Sequence, residues 1–173
     1  MEKKNLETLQ AALKFEEDER AFFLAASERT EEKFGKSTFL SLAEAEPDHI
    51  ERIKGIYESL SKTGEWPDTP SLFCPRCSVE ELFEVGMSES DLNVKPTTGE
   101  LEAVKVGIQY EEKGIKLYTD MSNAASHPLE KKFYTQLANE ERGHMLILKD
   151  MEQYYDDPVH WFSAKERLHW DGQ

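Results

Sequence analysis

Two stretches of the chain carry a glutamate three residues ahead of a histidine: Glu46 and His49 in LAEAEPDHI, and Glu141 and His144 in LANEERGHM. Residues three apart share one face of a helix, so each pair presents a carboxylate and an imidazole side by side. One such pair in an acidic chain means little, because helix glutamates usually face water. The second copy changes its weight. An ungapped shift of 95 residues lays LKFEEDERAFF (Leu13 to Phe23) on IQYEEKGIKLY (Ile108 to Tyr118), and the two Glu-x-x-His stretches on each other. Under that shift Glu16 meets Glu111, Glu46 meets Glu141 and His49 meets His144. Carboxylate oxygen with imidazole nitrogen suits iron or manganese, with zinc also accommodated. Burying even one bare carboxylate costs several kcal/mol. Four of them gathered in one layer call for about two divalent cations as counter-charge. Six side chains do not saturate two metals, which leaves positions for water, O2 or peroxide.

Helices must bring these groups together. Leu6, Leu9, Leu13, Phe23 and Ala26 recur at helical intervals from about Leu6 to Thr30, and Phe39, Leu42, Ile50, Ile53, Ile56 and Leu60 mark a second helix. Gly35 is read as the punctuation between them, and Pro47, inside the second helix, is expected to remove one backbone bond and kink it. After Lys62 the texture becomes TGEWPDTPSLFCPRCS, a connector. A short helix from Val79 to Val85 is plausible within it, with Ser78 and Glu81 as a capping box. A third helix is predicted from about Gly99 to Ala124 behind the candidate caps Thr97 and Thr98. A fourth follows the Ser126 to Pro128 turn, runs to about Tyr155 and is stopped by Pro158. Each half then supplies Glu16 or Glu111 from one helix and Glu-x-x-His from its antiparallel neighbour. The expected fold is all-α: an antiparallel four-helix bundle with one long crossover between helices 2 and 3. The bundle covers 1–155, as two repeats of about 5–60 and 100–155 joined by a 61–98 crossover, and a tail covers 156–173.

Composition narrows the partners. The 173 residues carry a net charge of −14, from 35 acidic against 21 basic side chains. That balance disfavours nucleic acid and anionic lipid, which want clustered Lys and Arg. No apolar stretch approaches the ~18 residues of a membrane span. The start, MEKKNLETLQ, lacks the apolar run of a secretory signal, so a cytoplasmic location is expected. Two cysteines argue against a disulfide scaffold.

With these motifs in place, the chain resembles the rubrerythrin branch of the ferritin-like di-iron carboxylate superfamily, over roughly 5–60 and 100–155. EEDERAFF with LAEAEPDH carries the likeness in the first half, EEKGIKLY with LANEERGH in the second. One Glu from each of two helices and Glu-x-x-His from each of the others is the ligand set of such proteins. The resemblance implies two iron ions that reduce hydrogen peroxide or dioxygen with electrons from an external donor. It implies Glu16, Glu46, His49, Glu111, Glu141 and His144 as ligands and catalytic groups. Rubrerythrins often add a glutamate one turn after a helix ligand. Glu19 stands in that place after Glu16, opposite Gly114 in the second half, and joins the expected metal set. The four-cysteine rubredoxin-like domain of full-length rubrerythrins is missing from this sequence, and Phe23 stands where the second half has Tyr118. Ferroxidation in an iron-handling assembly is the alternative, as is a redox-silent metal-binding module that recruits a partner.

Other features receive plainer readings. Glu17, Glu112 and Glu140 neighbour the expected ligands and are read as solvated. Tyr110 and Tyr118 are read as core packing, with the resemblance favouring a role for Tyr118 near the centre. Cys74 and Cys77, in CPRC, are a loop feature or a dithiol, since a structural zinc wants about four ligands. Trp161, Phe162 and Trp170 make the tail too apolar for a free end, so it is expected to pack on the bundle or on a second subunit, with a homodimer as the expected assembly. His127 is placed in a turn, and His160 and His169 at the surface or in packing.

Overall fold

The computed structural model describes residues 2–67 and 97–170, with side chains placed over 5–67 and 97–164. Five helices account for almost all of them: α1 (Glu2–Arg29), α2 (Lys33–Thr63), α3 (Thr98–Ala124), α4 (Pro128–Asp156) and α5 (Pro158–Trp170). Among the described residues there is no strand, and no helix is long and apolar enough to cross a membrane. Short connections force α1 against α2 and α3 against α4 as antiparallel hairpins, which meet through α1–α3 and α2–α4 contacts. Most of the crossover predicted over 61–98, including the helix expected at Val79–Val85 and Cys74 and Cys77, lies outside the described residues.

The helix ends are fastened by side chains that satisfy otherwise unpaired backbone N–H groups. Glu32 caps α2, accepting from Phe34 N at 2.9 Å and Gly35 N at 2.6 Å. Thr97 and Glu100 form a reciprocal capping box at the start of α3. The same Glu100 carboxylate accepts from Glu31 N and Glu32 N, at 2.9 and 3.0 Å, and so pins the α1–α2 turn to the second hairpin. Gly64 closes α2 in the left-handed conformation, φ 71°, with its N–H bonded to Leu60 O. His127 caps α4, ahead of Pro128.

Two local expectations change, at Gly35 and Pro158. The first turn lies at residues 30–32, ahead of Gly35, which sits inside the first turn of α2. A side chain at Gly35 would collide with the Tyr155 hydroxyl and would stand 2.6 Å from Met151 Cε. Close approach of α4, rather than turn geometry, therefore requires glycine there. α2 continues as helix on both sides of Pro47, so Glu46 and His49 remain one turn apart on one face. Pro158 does end α4, but it also opens α5, because its fixed φ suits a first helical position. α5 packs on its own bundle: the Trp161 ring lies 5.8 Å from Phe34 and 5.4 Å from Tyr154. The side chains of His169 and Trp170 lie outside the described set.

Burial divides the interior into three levels. At one end Leu9, Ala12, Ile53, Ile56, Leu60, Trp66, Tyr118, Phe133, Tyr134 and Leu137 form an apolar cluster. At the other, Phe23, Ala26, Phe39, Leu42, Val104, Leu148, Met151, Tyr154 and Tyr155 form a second. Between them, on the same inward faces of the same helices, lies a layer of acids and histidines. Helical periodicity, not polarity, put those groups indoors.

Candidate metal centre

The seven residues expected from the sequence are all buried in this layer, but Glu19 belongs to neither of the two groups whose ligand atoms lie close together. Glu16, Glu19, Glu46, Glu111 and Glu141 are each 0% exposed, with His49 and His144 at 1% and 5%. α1 supplies Glu16 and Glu19, α2 supplies Glu46 and His49, α3 supplies Glu111, and α4 supplies Glu141 and His144. Two groups have mutually close ligand atoms, all within 4.8 Å: Glu16, Glu46, His49 and Glu141 in one, Glu111, Glu141 and His144 in the other. Glu141 belongs to both. Glu46 also spans them, with its oxygens 3.1 Å from His49 Nδ1 and 3.3 Å from His144 Nδ1. The two imidazoles lie with ring centres 5.5 Å apart and planes 20° from parallel.

The hydrogen-bond count does not close. His49 Nδ1 faces Glu16 at 3.0 Å, Glu46 at 3.1 Å and Glu141 at 3.5 Å, yet a ring nitrogen carries one hydrogen at most. Both carboxylate oxygens of Glu19, Glu46, Glu111 and Glu141 are buried without a donor, as is His144 Nδ1. Buried polar groups are almost always satisfied, so such a concentration points to a missing counter-charge. The donor set fits it: oxygen and imidazole nitrogen on facing helices, with two carboxylates shared between two groups.

Proton affinities describe the same deficit. Burial, followed by neighbouring charges, pushes Glu16, Glu19 and Glu111 well above the usual carboxylate range, the other carboxylates dominating those charges for Glu19 and Glu111. For Glu46 burial acts upward too, but His49 and His144 outweigh it and hold the group well below that range. Burial opposes charge on the histidines as well. Glu16 and Glu46 nonetheless raise His49 strongly, and Glu141 with Glu46 brings His144 to about 9. Without cations, protons are the charge this layer recruits.

The surroundings differ from the expectations at two points. Tyr118 is fully buried and donates its hydroxyl to Glu16 through a very short hydrogen bond, so it touches the centre as well as packing. Tyr110 packs instead on Phe22, at 5.0 Å, outside the layer. Glu17 and Glu112 are exposed, but Glu140 is not. Its carboxylate has 10% side-chain exposure and stands 3.1 Å from His49 Nε2 and 2.5 Å from Arg52 Nη2. The solvated reading of Glu140 is thus corrected, and Arg52 was not singled out from the sequence. A signal was present: Arg52 is a cation one turn beyond His49 on an otherwise apolar face, where the other half has Ile147. His127 stacks on Trp66 in its turn, and His160 is exposed.

Comparison with known proteins agrees with this geometry. Residues 7–71, which hold α1, α2 and their four candidate ligands, match the family model described as Rubrerythrin. No curated protein matches the chain. A hypothetical protein from Pyrococcus furiosus is similar in structure, with a TM-score of 0.61 and 19% identity, over 87% of this chain and 89% of that one. At that identity the likeness concerns the fold alone. The rubrerythrin match thus covers the first hairpin, and the same acid–histidine pattern recurs in the second, within an all-α bundle of the ferritin-like kind.

Proposed function

We propose that the layer holds two iron ions and that the protein is a non-haem oxidoreductase, reducing hydrogen peroxide or dioxygen with electrons from an external donor. Glu16, Glu46, His49 and Glu141 would hold one ion, and Glu111, Glu141 and His144, with Glu46 shared, the other. Bound there, the pair would supply electrons and Lewis acidity for cleaving an O–O bond. The observation that carries the reading is the set of eight buried carboxylate oxygens without a hydrogen-bond partner in one layer with two imidazoles. Manganese or zinc would satisfy the same donors, so the choice of iron rests on the rubrerythrin match.

The chain's own residues would prepare that chemistry in three ways. The apolar clusters on either side exclude bulk water, which strengthens every charge interaction inside. Tyr118 fixes one Glu16 oxygen and leaves the other facing His49. Glu19 adds a fifth buried carboxylate, so two divalent ions would leave one negative charge in the layer.

Anaerobic loading with ferrous iron, metal analysis and optical titration with peroxide test the proposal. About two irons per chain are expected, with a spectrum that bleaches on reduction and returns with stoichiometric peroxide. Iron uptake far beyond two per chain in a many-subunit shell would favour storage. A centre that holds zinc and ignores dithionite and peroxide would make it structural.

A further inference from the structure

The two histidines are not held alike. His49 is engaged from both sides: Nδ1 faces the cluster, and Nε2 stands 3.1 Å from Glu140 Oε2. Glu140 is itself fixed. Arg52 reaches it with Nη2 at 2.5 Å and Nη1 at 3.4 Å, and Gln136 Nε2 donates to its other oxygen at 2.9 Å. Arg52 is anchored in turn, its Nε lying 2.7 Å from Asp48 Oδ2. His144 meets its carboxylates through Nδ1. The repeat explains the contrast: under the 95-residue shift Glu140 falls on Ala45 and Arg52 on Ile147, so among the described residues the second histidine has no equivalent support.

We propose that Glu140, braced by Arg52 and Gln136, is a positioning residue for one metal position only. It accepts the Nε2–H of His49, which leaves the Nδ1 lone pair directed at Glu16, Glu46 and Glu141 and prevents the ring from turning. The inference rests on the metal reading above and adds that the two positions bind unequally, with the His49 position the tighter. A carboxylate behind a ligating imidazole raises its basicity and holds its orientation, and losing such a partner weakens binding by about 10–100-fold.

Stepwise binding of Co(II) to the metal-free chain, followed by calorimetry and by the cobalt absorption spectrum, tests this. The double variant Glu140→Leu with Arg52→Met removes the acceptor without stranding a buried charge. Wild type should bind two ions with distinct affinities. The double variant should bind one ion about 10–100-fold more weakly, with the other step and its spectrum unchanged. Glu140→Gln, which keeps an acceptor oxygen, should fall between them, and it reads the same two steps if the double variant does not fold. Two unchanged steps in the variants would overturn the inference alone, as would equal weakening of both. A wild-type chain that binds no cobalt would overturn the metal reading as well.

Discussion

The first and second helix pairs copy one another at the ligands and part company one shell out. Glu16, Glu46 and His49 repeat as Glu111, Glu141 and His144, and the six converge on one layer. Around them the pairs differ. The first has Glu19 where the second has Gly114, and Phe23 where the second has Tyr118. Phe15 fills the space that Gly114 leaves, so a Cβ there would stand 3.1 Å from its ring and 3.2 Å from Glu141 Cγ. His49 has a carboxylate behind it, and among the described residues His144 has no counterpart. Symmetry is kept where charge must be balanced and lost where it only has to be tuned. Two metal ions bound here, as proposed, would therefore occupy chemically unequal positions.

The comparison breaks most completely at the shared ligands. Glu141→Ala removes a side chain common to both groups and should empty both positions, read as metal content after loading. Glu16→Ala, which belongs to one group, should leave about half the metal. Equal losses in the two variants would mean that the positions fill only together.

Metal removal comes next. Ions that bind only the folded state at 1,000 times Kd stabilise it by about 4 kcal/mol each, so chelation should lower the unfolding midpoint in urea sharply. The metal-free chain should then show an unusual pH profile. Glu16, Glu19 and Glu111 have raised values, so their stabilisation is present below the ordinary 4.5 and lost as pH climbs through those values. His49 and His144 contribute below 6.5, and the His144 part is lost as pH passes about 9. Glu46 and Glu140 act in the opposite sense: their part is present above 4.5 and lost in acid, for Glu140 towards about 2. Metal-free stability should therefore peak near the ordinary carboxylate value of 4.5 and fall from there towards pH 9, by urea titration. A plateau through pH 9 would contradict the burial of unbalanced acids.

Smaller effects separate the halves. Glu19→Gln, at a position where the second repeat has Gly114, should stabilise the metal-free chain at pH 8 by about 1–2 kcal/mol, the scale of an unpaired buried polar group, while slightly weakening metal binding. Tyr118→Phe should cost about 1 kcal/mol through its lost bond to Glu16. Phe23→Tyr, the converse change, should gain nothing, because Phe23 packs in the apolar cluster.

Much of this was legible in the residues. The 95-residue repeat pointed to the helices and to six inward groups because helix geometry turns spacing into position with little help from tertiary structure, whereas Glu19, opposite Gly114, was expected from the family resemblance alone. Glu140 was not legible, since its partners are His49 on the opposite hairpin and Arg52 beside it, and nothing local distinguishes it from solvated Glu112. Gly35 was noticed for the wrong reason: its need for a small side chain comes from Tyr155, 120 residues away in sequence. Pro158 reads as a stop from the helix before it and as a start from the helix after it, and sequence alone favoured the stop.

The most direct test is anomalous diffraction at the iron edge from crystals of the iron-loaded chain. Two peaks roughly 3.5–4 Å apart, lying between Glu46 and Glu141 with one near each histidine, are the predicted result. An interior without a peak, or iron only at the surface acids, would contradict it.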